Sequence, residues 1–106
     1  MRIEANYLPI LARIAKLVRA GAGDVVIIGH TDSAPVNSVQ YPTNWHLSLA
    51  RAVAVASVLA ASGVPPERLR PEGRGDAEPR AGGTTDSDAA RNRRIEIQWL
   101  LPRPDR

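Results

Sequence analysis

GHTDSAPVNSVQYPTNWHLSLARA, residues 29–52, joins the two patterns that decide the fold. Upstream, DVVIIGH (24–30) is a continuous β-branched run that reads as a buried strand. Downstream, Leu47, Ala50, Val53, Ala54, Val58 and Ala61 fall on one broad helical face. Gly63, Pro65 and Pro66 then stop the helix. Residues 32 to 43 hold two prolines, Asn37 and two serines, and read as loop. The helix start has two readings. Either Thr43 caps a turn containing Trp45, or Ser48 is the N-cap and Arg51 falls at N3.

Towards the N-terminus, residues 7 to 19 carry apolar side chains at 7, 8, 11, 14, 15 and 18, which is helical spacing. Asn6 is the expected N-cap, Pro9 is tolerated in the first turn, and Gly21 or Gly23 closes the helix. Towards the C-terminus, Pro66 to Leu69 make one short turn. Leu69 to Gly73 form a short edge strand, because Pro71 has no N–H to give a ladder. Residues 74 to 90 read as loop, and within 93 to 101 Ile95, Ile97 and Trp99 alternate as a strand with one buried face. The order helix, strand, helix, short strand, strand predicts an α+β chain in two layers, with helices over one face of a small mixed sheet. No internal repeat is visible. A single domain is expected over residues 1–106, with its core about 7–101 and a polar tail at 102–106.

The composition narrows the chemistry. The chain has no cysteine, which excludes disulfides, thiolate zinc sites and a cysteine nucleophile. Its net charge of +3 is carried by arginine, with Lys16 the only lysine; such a surface suits anionic partners. No window approaches the roughly 20 apolar residues of a membrane span. Glu4, Asn6 and Pro9 interrupt any signal-peptide pattern, so an export signal or anchor is expected outside this chain.

Candidate sites cluster near residue 30. His30, His46 and Asp32 are too few for a zinc site, and His30 is expected to hydrogen-bond backbone at the strand end. Ser48 with a histidine and Asp32 supplies the residue types of a hydrolase, but no Gly-x-Ser-x-Gly elbow surrounds it, and a helix cap explains it better. Gly73-Arg74-Gly75-Asp76 is no phosphate-binding fingerprint. Four aromatic residues are too few for nucleic-acid stacking beside Arg91, Arg93 and Arg94. Binding of a zwitterion fits better. Asp32 ends the strand, and Arg51 sits in the first turn of the next helix on the same rim. An Asp holds an ammonium; an Arg with helix N–H groups clamps a carboxylate. An Asp32–Arg51 salt bridge that merely ties loop to helix is the other reading, and the residues alone leave both open.

Four motifs in order carry a resemblance. They are Gly29-His30-Thr31-Asp32, Asn44-x-x-Leu47-Ser48-x-x-Arg51-Ala52, Gly73-Arg74-Gly75 with Pro79, and Asn92-Arg93-Arg94-Ile95-Glu96. Together they resemble the OmpA-like peptidoglycan-binding domain. The stretch from Ala34-Pro35-Val36 to Tyr41-Pro42-Thr43-Asn44-Trp45 looks like the MotB-type stator branch and, more closely, the TssL-type branch of type VI secretion, with Thr43 where Ser is usual.

The resemblance implies a two-layer α/β sandwich of βαβαββ topology. Its first strand would be largely missing, since only MRIEA precedes the first helix. It implies a non-catalytic, cofactor-free and metal-free module in the periplasm, forming the C-terminal domain of an inner-membrane-anchored protein. That module binds the meso-diaminopimelate of a peptidoglycan stem peptide and anchors a larger envelope machine. In the family, the positions of Asp32 and Arg51 hold the ligand's head group. Thr31, Asn44 and Leu47 match positions around it, and Arg93 and Arg94 match the motif beside or beneath it; His30 and Ser48 are structural. A docking domain among the subunits of such a machine, without peptidoglycan binding, is the alternative. No nucleic-acid partner is expected. A missing first strand leaves the edge beside Ile95–Trp99 open, predicting a homodimer through that edge, reduced stability, or both.

Overall fold

The computed structural model describes residues 3–34, 36, 38–82 and 85–102. Pro35 and Asn37 of the expected loop, and residues 103–106 of the expected tail, lie outside them. The elements run α1 (Leu8–Ala20), β1 (Asp24–His30), α2 (Asn44–Ala61), β2 (Leu69–Gly73), α3 (Asp86–Asn92) and β3 (Arg94–Leu100). Short 3-10 turns occupy Ala5–Tyr7 and Pro66–Arg68.

The sheet order is β2-β1-β3, with β2 parallel and β3 antiparallel to β1. The β-branched run therefore forms the central strand, and Val25 through His30 are all buried. β2 lies at the edge as Pro71 requires, opposite Ile27. The two-layer mixed sheet agrees with the expected fold, including the shortage of a first strand: among the described residues none pairs with the outer edge of β3. The core lies between the helices and one sheet face. It joins Leu11, Ala15 and Val18 of α1 and Val55 and Leu59 of α2 to Val25 and Ile27 of β1. Each large apolar side chain buried there stabilises the fold by roughly 1.5–3 kcal/mol.

Three expectations change. α2 does not bury the face of Ala50, Val53, Ala54, Val58 and Ala61. It turns Ser48, Ala52, Val55, Ala56 and Leu59 to the core, and the expected face lines an open groove of about 550 Å³. The helix is apolar nearly all round, so periodicity did not distinguish its two sides. Next, residues 86–92 are helical, not loop. Thr85 Oγ1 accepts the Asp88 N–H (3.1 Å), while Asp88 Oδ2 accepts the Thr85 N–H (3.4 Å), a reciprocal cap with Asp in place of Glu. Finally, Asn6 does not cap α1. Tyr7 is the N-cap with no side-chain bond, and its N–H goes to the Glu4 carbonyl in the preceding turn. The end of α2 behaves as its sequence predicts. Gly63 takes φ +101°, its N–H reaches the Ala60 carbonyl, and the Val64 N–H reaches that of Leu59, which is a Schellman closure.

Candidate functional site

Three connections meet at the C-terminal end of β1. Gly29 of β1 and Gly73 of β2 lie side by side in register. Over them sits the Ser48 turn of α2. A Cβ at Gly29 would stand 2.0 Å from the Ser48 carbonyl oxygen, and one at Gly73 would stand 2.7 Å from its hydroxyl. Only glycines let the helix approach so closely. Ser48 is fully buried; its Oγ donates to the Trp45 carbonyl (2.8 Å) and accepts the Gly75 N–H (2.9 Å). Gly75, at φ +56°, accepts the Thr31 N–H at 2.8 Å. The loop after β1, the start of α2 and the loop after β2 are thus stitched into one rim.

Ser48 is therefore no helix cap. Thr43 caps α2, its hydroxyl accepting the His46 N–H at 3.3 Å and sharing a 2.7 Å bond with His46 Nδ1. This moves Arg51 from the expected first turn to the third. It lies within α2, apart from the free N–H groups at the helix start, and its charge acts on Asp32.

Asp32 lies two residues beyond β1, its side chain 18% exposed. Its Oδ1 accepts the Ala34 N–H at 3.0 Å, and its Oδ2 takes Arg93 Nη1 at 2.6 Å. The Arg93 bond is the main cause holding the carboxyl below its ordinary value. Partial burial opposes this, while the Ala34 N–H and the charge of Arg51 act in the same direction. The Asp32–Arg51 salt bridge, the alternative to zwitterion binding, is not formed. Among the described residues Arg51 has no ion pair within 4 Å, although its charge is felt at Asp32.

The other candidates divide. Thr31 is buried, and its hydroxyl donates to the Asp32 carbonyl at 2.9 Å, so it shapes the turn presenting Asp32. Asn44 and Leu47 are half-buried on the first turns of α2; Asn44 Oδ1 is enclosed without a hydrogen-bond partner among the described residues. Arg94 faces elsewhere: Nε bonds Glu96 Oε1 (2.9 Å) and Nη2 bonds the Glu78 carbonyl (2.9 Å). It supports the sheet and stays away from Asp32. His30 makes no backbone bond through its ring. Both ring nitrogens lack hydrogen-bond partners among the described residues, and Glu96 Oε1 stands 3.6 Å from Nε2. The ring is enclosed opposite Arg94 on β3; burial and then the Arg94 charge lower its pKa, while Glu96 and Glu78 oppose. Among the described residues no three His, Asp or Glu side chains converge to hold a metal ion.

Asn92, quoted from the sequence only as part of a motif, has a role here that the sequence did not assign. This buried side chain accepts the Arg80 and Ala81 N–H groups (2.8 and 2.9 Å) and donates to the Ala81 carbonyl (3.0 Å), tying the loop after β2 to the end of α3. The Thr85-x-x-Asp88 cap was the signal for the short helix that places it.

The fold and sequence are similar to those of known proteins. The cell wall anchor of the type VI secretion system from Pseudomonas aeruginosa is 40% identical, with a TM-score of 0.84 over 94% of this chain and 70% of that one. Motility protein B of Bacillus subtilis is 33% identical over 76% of this chain, and the peptidoglycan-binding protein ArfA of Mycobacterium tuberculosis is 38% identical over 90%. The chain spans only 31% and 28% of those two relatives' lengths. The sequence model of the OmpA family matches residues 1–93, and the chain belongs to that family.

Proposed function

We propose that the rim is a non-catalytic peptidoglycan-binding site that takes the amino-acid head group of meso-diaminopimelate in a stem peptide. The observation that carries this reading is the unspent charge of Arg51. A structural salt bridge would have used it on Asp32. Among the described residues no ion pair joins the two groups, although the charge of Arg51 is felt at Asp32; the reading assigns the ligand's ammonium to Asp32 and its carboxylate to Arg51. Thr31 holds Asp32 in place, and Asn44 and Leu47 line the approach from α2. The relatives named for a cell wall anchor and for peptidoglycan binding support the coarser part of this reading, a peptidoglycan ligand.

The domain then tethers a larger envelope machine to the wall, as the periplasmic C-terminal part of an inner-membrane-anchored protein. Among the described residues no helix is long and apolar enough to cross a membrane.

Pull-down with purified sacculi tests this. Asp32→Asn and Arg51→Leu abolish binding and leave the melting temperature within a few degrees of wild type, because partly solvated charges stabilise folds weakly. Calorimetry separates the ligand: muropeptides with lysine in place of diaminopimelate lack the side-chain carboxylate and bind more weakly. Variants that unfold yet retain binding, or equal affinity for both muropeptides, overturn the reading.

A second reading, docking to another protein or a second copy, is favoured by a different surface. Among the described residues no strand pairs with the outer edge of β3, and Tyr7, Ile10 and Leu17 of the N-terminal region are exposed. Light scattering tests it: a dimer whose formation slows hydrogen exchange at the Ile97 N–H, which points away from β1, supports pairing through β3. A monomer at all concentrations excludes self-association.

A further inference from the structure

Arg93 and Arg94 are neighbours in sequence and opposites in restraint. The Arg94 side chain is 17% exposed and anchored to Glu96 and to the Glu78 carbonyl. Arg93 is 43% exposed, and among the described residues its guanidinium has a single partner, Asp32. It projects from the C-cap of α3, whereas Asp32 is fixed from the other side by the Ala34 N–H. One partner of the ion pair is therefore held by backbone, and the other hangs on the pair alone.

This matters because Asp32 is the carboxylate that the reading above assigns to the ammonium. With Arg93 in contact its charge is already compensated, and Arg51 adds a second positive charge nearby. An arriving ammonium then meets a neutralised acid flanked by two guanidiniums. The carboxylate end of the same ligand meets an uncommitted Arg51.

We propose that Arg93 is an internal competitor for the ligand's ammonium: its guanidinium occupies Asp32 in the unliganded domain, and binding requires that this pair open. The proposal rests on the stem-peptide reading above and assigns Arg93 a gating role within it. Arg93 is suited to leave, being exposed and singly held, so its departure orphans no buried group. The pair sets a threshold. A bare amine displaces Arg93 and gains only Asp32, whereas a zwitterion displaces it and gains Arg51 as well.

Calorimetry with a diaminopimelate-containing muropeptide on wild type, Arg93→Gln and Arg93→Lys tests the competition. Arg93→Gln removes the competing charge and binds about two- to fivefold tighter, the factor expected for a surface ion pair; Arg93→Lys stays near wild type. A second readout needs no ligand. In a carbon-13 titration of the Asp32 carboxyl, Arg93→Gln moves its pKa upward towards the ordinary Asp value, as removal of the main lowering contact requires. Tighter binding together with that upward move supports the proposal. Wild-type binding with an equal or weaker Arg93→Gln, or an unmoved Asp32 titration, overturns the gate and leaves the ligand reading standing. Absence of muropeptide binding by every protein, Arg93→Gln included, overturns both.

Discussion

The two ends of β1 are held by different means. At the Gly29 end, backbone meets backbone: α2 rests on paired glycines, and the buried Ser48 hydroxyl bridges to Gly75. At the Asp24 end Gly23 also lies close to the Leu100 carbonyl, but it is long side chains that join the helix end and the turn to the sheet. Arg68 reaches the carbonyls of Gly23 (2.8 Å) and Val18 (3.0 Å), Trp99 Nε1 reaches that of Ala22 (3.0 Å), and Arg70 pairs with Asp24. Backbone contact leaves no slack, whereas arms of several rotatable bonds adjust. The end that carries Asp32 is the one without slack, as a binding rim with fixed geometry needs.

Substitutions at each end can break this contrast. The largest effect is expected for Gly29→Ala. Its Cβ would meet the Ser48 carbonyl at 2.0 Å, so α2 must lift from the sheet. A loss of about 3 kcal/mol in urea unfolding should follow, with sacculus binding gone. Ser48→Ala comes second, leaving the Gly75 N–H buried without its acceptor at a cost of about 1–3 kcal/mol. Arg68→Ala, at the slack end, should cost about 1 kcal/mol because water can replace its partly exposed bonds, and sacculus binding should stay unchanged. If Arg68→Ala costs more than Ser48→Ala, the contrast is reversed.

The smallest effect sharpens it through pH. His30, buried at the tight end, has its pKa lowered below 6.5 by enclosure first and by Arg94 second. The unfolded chain therefore binds this proton more readily than the folded one. Stability from this group is complete above pH 6.5 and declines as pH falls towards the lowered folded value. Asp32 and Glu96 also have lowered values, and their contributions hold until pH drops below their ordinary 3.8 and 4.5. Urea midpoints between pH 7 and 5 should fall slightly in wild type and stay flatter in His30→Leu. Equal slopes would mean that the ring is not enclosed in solution.

The strands were legible because their signals are local: an unbroken β-branched run, a proline-marked edge and a period-two alternation each require only neighbouring residues. The end of α2 was legible from Gly63 and the prolines after it, and its start as two alternatives, of which Thr43 prevailed once its hydroxyl had a backbone N–H to accept. The buried face of α2 was not legible. Small apolar residues surround that helix, and what selects Ser48, Ala52 and Leu59 is the glycine pair beneath, formed by residues 44 positions apart. Asp32 and Arg51 stood out by their chemistry and placement, and the family motifs favoured binding over a salt bridge, while the intervention of Arg93 depends on where α3 ends.

Asn92 shows what such a position means for the alphabet of the chain. Its oxygen accepts two N–H groups while its nitrogen donates to a carbonyl, all within a buried site. Aspartate has no donor for the carbonyl, leucine answers none of the three, and glutamine carries the amide one carbon too far. Of twenty letters, one spells this contact. Arg91, one residue earlier and exposed, is written in a nearly unrestricted hand. In a saturation library of this domain, adjacent columns 91 and 92 should therefore differ more in information than in any measure of distance from the ligand.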